Sequence, residues 1–99
     1  METVAQQYKE LELVLKAAYQ QASKGKGNDR HATGQPFENQ PMQIISDLVG
    51  SNHGALFQAI KKAQESTRME TGAAVRELLG AINYLAGAII WLEKQETGG

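Results

Sequence analysis

Between Lys24 and Pro41 the chain reads KGKGNDRHATGQPFENQP, and here its residue types come closest to a chemical site. Lys24, Lys26, Arg30 and His31 gather within one short stretch, with Asp29 as the nearby carboxylate. Glycines let successive backbone N–H groups turn inward as an anion-accepting concavity, and an arginine fork matches two phosphate oxygens at once. His31 can donate to an anion or accept from a base edge. Phe37 can stack on a ring or pin the loop to the core. Pro41 suits the first turn of a helix, so the loop is placed to deliver a ligand to a helix N-terminus, which favours anions. A glycine-rich stretch with a few charges is equally an ordinary solvated loop, although loops on rigid scaffolds often carry function.

Other chemistries find little to stand on. The Gly25-Lys26 pair does not belong to a phosphate loop of the GxxxxGK[ST] type. His31 and His53 are far apart and have no carboxylate at metal-ligand spacing, so no metal site is expected. Glu93 and Glu96 form a lone ExxE, whereas a two-metal centre needs more carboxylates converging on one place. With no cysteine there is no disulfide, thiolate site or cysteine nucleophile. No cofactor is expected, and catalysis is weakly supported. A formal net charge of −1 fits neither a protein that coats nucleic acid nor an acidic DNA mimic, so duplex nucleic acid is not an expected partner. The N-terminus lacks a basic segment followed by an apolar run, which points by default to the cytoplasm.

The elements that must hold the loop are helical. Val4, Tyr8, Leu11, Leu15, Ala18 and Ala22 recur at alternating spacings of four and three, predicting a helix from about Thr3 to Ala22 that stops at Ser23. After the loop, Met42, Ile45, Leu48 and Val49 predict a short amphipathic helix from Pro41 to a C-cap at Gly50. A third helix is predicted over about 54–67, capped by Ser51 or Asn52, with Leu56, Phe57, Ile60 and Ala63 on its inner side. Lys61, Lys62 and Arg68 could add positive charge from this region. Thr71 is the expected N-cap of the last helix, which continues to about Lys94.

That last helix contains fifteen residues without a charge, Leu78 to Leu92. Leu78, Ile82, Leu85, Ile89 and Leu92 share one stripe, yet the other sides are apolar too, so the helix must be covered all round. The charge-free run is shorter than the roughly 20 residues a bilayer span requires, and a membrane is not expected. Gly80 and Gly87 lie on one face, where a second copy's backbone could approach and cover Tyr84 and Trp91. Asn83, the amide within this run, is either a register-setting hydrogen bond or a ligand contact. The reading is a single all-α domain, 1–99. It is a small bundle of three main helices and one short one, oligomeric through the C-terminal helix, with 24–41 as a long basic loop.

The loop together with RELLGAINYLAGAIIWLE (76–93) resembles small, poorly characterised proteins of phages and mobile elements. They place Arg-His-Ala, Gly-x-Pro-Phe and Gln-Pro ahead of a Glu-Leu-Leu-Gly-Ala-Ile-Asn-Tyr helix, and the resemblance covers about residues 24 to 93. The last helix also distantly resembles the closing helix of MazG-like all-α nucleotide pyrophosphohydrolases. Those enzymes hold magnesium with an ExxE and a later ExxD. Here the corresponding helix reads Glu77-Leu78-Leu79-Gly80, and the first helix carries Glu10 and Glu12.

Together these observations favour a non-catalytic, homo-oligomeric binder of an anionic, nucleotide-like ligand. A phage setting implies sequestration of a host nucleotide signal. Arg30 and the backbone at Lys24 and Lys26 would hold phosphate, His31 would orient it, and Phe37 would stack or seal. The loop and a neighbouring subunit's helices would wall the pocket. Two alternatives are a divergent MazG-like pyrophosphohydrolase and a helical interaction or scaffold subunit.

Overall fold

A computed structural model describes residues 1–24 and 35–98. The described residues form five helices and one 3₁₀ turn, with no strand. The first expected helix is present as α1 (Val4–Gln7) and α2 (Lys9–Lys24), separated at Tyr8. Thr3 starts it with a reciprocal cap: its side chain accepts from the Gln6 N–H, and the Gln6 side chain accepts from the Thr3 N–H. The helix does not stop at Ser23. That hydroxyl donates to the Tyr19 carbonyl at 2.8 Å, so serine's tendency to compete with the backbone is satisfied within the helix. Lys24 therefore belongs to the last helical turn rather than to the loop, a favourable place for a cation.

A 3₁₀ turn (Phe37–Asn39) leads into α3 (Pro41–Val49). Pro41 occupies the first turn, and Gly50 closes the helix at φ 79°, a left-handed value that glycine adopts without a Cβ penalty. The buried face differs from the expected one. Gln43 and Ser46 are buried, while Ile45, Leu48 and Val49 are exposed. The reason lies in what α3 packs against. The helix α5 (Thr71–Gly98) offers backbone carbonyls and an indole N–H there. Gln43 Nε2 donates to the Gly87 carbonyl at 2.8 Å, and Trp91 Nε1 donates to Asp47 Oδ1 at 2.9 Å. Each such bond contributes about 1 kcal/mol net.

The next helix, α4 (His53–Ser66), is also turned from the expected face. Ala55, Ala59 and Ser66 are buried, whereas Phe57, Ile60 and Ala63 face out. Small side chains let α4 lie close to α5, where Ala81 and Ala88 are buried in turn. Asn52 does not cap α4 with its side chain; Nδ2 reaches across to the Ala88 carbonyl at 3.3 Å. Likewise Glu70, not Thr71, caps α5. Its carboxylate accepts from the Ala73 and Gly72 N–H groups at 2.6 and 3.0 Å. Those two bonds, with Arg76 nearby, hold the Glu70 pKa below its ordinary value.

The long helix α5 has 28 residues, so it outlasts the charge-free run at both ends and is long and apolar enough to cross a membrane by length and composition alone. Its glycine face is approached by side chains of this same chain. A Cβ added at Gly87 would collide with the Met42 thioether, and one at Gly80 would press on the Lys62 stem at 3.2 Å. Trp91 is already 9% exposed and Tyr84 is half-buried within one chain.

Candidate ligand-binding cleft

On the glycine side of α5, the described residues enclose an open cleft of about 1090 Å³. That is at the upper end of the range for small-molecule sites. Its floor is α5, from Arg76 and Glu77 through Gly80 to Asn83 and Tyr84. One wall is the end of α2. The other is built from the 3₁₀ turn, the start of α3 and the first turns of α4. All these surfaces come from one chain, and the cleft is open on its remaining side.

Two hydrogen bonds orient the cleft. Asn83 Nδ2 donates to the Ala18 carbonyl at 3.0 Å, and Gln21 Nε2 donates to the Arg76 carbonyl at 3.2 Å. Numbers rise along α2 as they fall along α5, so the two helices run antiparallel. Lys24, one turn beyond Gln21, lies at the Arg76 end. The 3₁₀ turn sits over the C-terminal half of α5, where Lys94 Nζ donates to the Glu38 carbonyl at 3.5 Å. Phe37 and Met42 thus line the far end. From Arg76 to Tyr84 the floor rises about 12 Å, at 1.5 Å per residue. The cleft is therefore long and unlike at its two ends.

Among the described residues three cations line it, Lys24, Lys62 and Arg76, against one carboxylate, Glu77. Lys62 crosses α5 over Gly80, with Nζ 3.7 Å from Glu77 Oε1 and 5.9 Å from the centre of the Tyr84 ring. It is thereby fixed and partly neutralised in the middle of the floor. Arg76 makes only a long, exposed approach to Glu70 at 4.0 Å, which holds it weakly. Phe37, Phe57 and Tyr84 supply rings, and Gln20, Gln21, Gln40, Gln58 and Asn83 supply carboxamides. Such groups can stack on a planar base and both donate to and accept from its edge.

Of the residues singled out from sequence, Lys24, Phe37 and Asn83 line this one cleft. Lys26, Arg30 and His31 lie outside the described residues. Asn83 spends its N–H₂ group on the α2–α5 contact, the structural role weighed for it. Among the described residues no donor reaches its Oδ1. Lys61 and Arg68 are exposed and do not line the cleft, whereas Lys62 does. Sequence reasoning missed Arg76 and gave Tyr84 and Phe57 to packing. The available signal was that Arg76, Gly80, Asn83 and Gly87 fall on one side of a helix. Glu93 and Glu96 do not line the cleft, and among the described residues no group of three or more His, Asp or Glu gathers as a metal site. Compared with protein families, curated proteins and solved structures, the chain matches none.

Proposed function

We propose that this chain is a non-catalytic binding protein for an anionic, nucleotide-like ligand that lies along the cleft. Its phosphate sits at the Lys24–Arg76 end and its base toward Phe37 and Tyr84. The observation that carries this reading is one cleft with Lys24 and Arg76 at one end and Phe37 at the other, and with carboxamides along its walls. Phosphate needs charge-assisted donors, and a base needs a flat apolar face with hydrogen-bonding edges around it. Lys26, Arg30 and His31 join the phosphate end in this reading on their residue types alone. In a phage or mobile-element setting, tight binding without turnover would withdraw a nucleotide signal from the host.

Calorimetry on the full chain with purine and pyrimidine nucleotides, their nucleosides and inorganic phosphate tests this. At least one nucleotide should bind more tightly than its nucleoside or phosphate. Arg76→Gln should cost that nucleotide tenfold or more, about 1.4 kcal/mol, and leave the nucleoside unchanged. Arg30→Ala should weaken the nucleotide to a similar degree, and Phe37→Ala should weaken both nucleotide and nucleoside. No heat from any nucleotide would sink the reading. Release of pyrophosphate from a nucleoside triphosphate with magnesium would replace it with hydrolysis.

A further inference from the structure

The side of α5 opposite the cleft has only partial cover within the chain, with Ile82 half-buried and its neighbours on the stripe exposed. At 100° per residue, Leu78, Ile82, Leu85, Ile89 and Leu92 lie within about 40° of one line. Asn83 turns toward α2, Gly87 and Trp91 toward α3, and Gly80 toward Lys62 of α4. Leu78, Leu85, Ile89 and Leu92 remain 43%, 45%, 57% and 54% exposed. Val75, just before them on the same side, is 49% exposed. We infer that this face is a self-pairing surface, on which α5 of a second copy lies antiparallel about a two-fold axis.

The spacing fits a second copy of this helix. From Val75 through Leu78, Ile82, Leu85 and Ile89 to Leu92 the steps are three, four, three, four and three. That series reads the same in both directions. In a two-fold antiparallel pair such a series sets each apolar residue against an apolar residue at the mirrored position. Val75 then faces the second copy's Leu92, Leu78 faces its Ile89, and Ile82 faces its Leu85. No charge falls on this stripe over its length.

The surface available matches. The chain exposes 7172 Å² at a mass of 10.8 kDa, where a compact monomer of that mass exposes roughly 5500 Å². A standard interface takes about 800 Å² from each partner, and the exposed stripe from Val75 to Leu92 supplies the apolar centre of one. The buried apolar residues are Ala18, Ala55, Ala59, Ala81, Ala88 and Trp91, a small core for a chain rich in leucine and isoleucine. Pairing would bury the large residues that folding leaves out, and both clefts would face outward.

Sedimentation of the wild-type chain should give twice the chain mass, or an even multiple of it. Leu85→Glu should halve that mass. The protein has no cysteine, so Leu78→Cys and Ile89→Cys can be made singly and mixed. The mixture should form a covalent dimer on oxidation, since a disulfide needs Cα atoms within about 7 Å. Leu78→Cys alone should not, because its two copies would sit about 16 Å apart along the axis. A wild-type mass of one chain at all concentrations overturns the inference. Cross-linking of Leu78→Cys with itself overturns the antiparallel arrangement. Flotation of the wild-type chain with phosphatidylcholine vesicles as single chains would make the occupant of this face a bilayer instead.

Discussion

The two long faces of α5 have opposite fates within a chain of 99 residues. The face bearing Gly80, Asn83, Tyr84, Gly87 and Trp91 is closed by α2, α3 and α4 and floors the cleft. The face bearing Leu78, Leu85, Ile89 and Leu92 stays open although its side chains are greasier. Hydrophobic area alone would reverse that order. What differs is how near another backbone can come. At Gly87 the approach is close enough for Gln43 to reach a helix carbonyl, and at Trp91 an indole N–H finds Asp47. Polar groups that pair across a close contact select the in-chain neighbour. Large aliphatic groups, indifferent to direction, are left for whatever else can cover them.

The largest effect that would break this contrast is at Trp91. Removing a buried tryptophan typically costs about 3–5 kcal/mol. Trp91→Ala should therefore unfold the chain at much lower denaturant, and a loss below about 1 kcal/mol would mean the glycine face is not where the chain is held. Gly87→Val comes next. Overpacking costs about 1–3 kcal/mol, and the gain in helix propensity over glycine is less than about 1 kcal/mol. The collision with Met42 and Gln43 should win, lowering the unfolding midpoint. Two residues along, Ile89→Val should shift chain stability by less than about 0.5 kcal/mol while weakening self-association. Equal losses at both sites would erase the distinction between the faces.

Asn83→Ala is the next step down. The side chain gives one hydrogen bond to a carbonyl on α2, so its removal should cost about 1 kcal/mol. If Oδ1 also meets ligand, nucleotide affinity should fall further than that stability loss accounts for. Titration of the variant well below its unfolding temperature separates the two roles. Unchanged affinity would leave Asn83 as a helix-register residue only.

How much of this could be seen beforehand follows the same line. The helices, Pro41 at a start, Gly50 at a stop and the dominance of the C-terminal rod were legible, because periodicity and turn chemistry are local properties. The inward faces of α3 and α4 were not. Met42, Ile45, Leu48 and Val49 form a persuasive amphipathic stripe, yet Gln43 and Ser46 are buried, since the deciding partner is a helix some forty residues away. Lys24 and Phe37, singled out from a local concentration of charge and one ring, both line the cleft. Arg76 and Tyr84 share their cleft but sit in a different element, and the local hint was that Arg76 falls on the helix side of Gly80, Asn83 and Gly87. Ser23 misled for the opposite reason: a residue that often ends helices found its partner one turn back.

The smallest effect concerns Glu70, which starts α5 at the cleft's cationic end and so touches one face more than the other. Its carboxylate accepts from the Ala73 and Gly72 N–H groups, and these bonds, followed by Arg76, draw its pKa below the ordinary glutamate value of about 4.3. A depressed folded pKa means the contribution is fully present above the unfolded value. It is lost as pH falls through the window beneath that value, and is gone once the folded group is protonated. Acid should therefore loosen the first turn of α5 and with it the placement of Arg76, while the helix around Leu85 stays formed. Amide exchange at Gly72 and Ala73, expressed as protection relative to the free peptide, should drop between neutral pH and pH about 3. Glu70→Gln should start with the lower protection and show little further change. Protection lost in step at Leu85 would mean that the two faces of α5 melt as one.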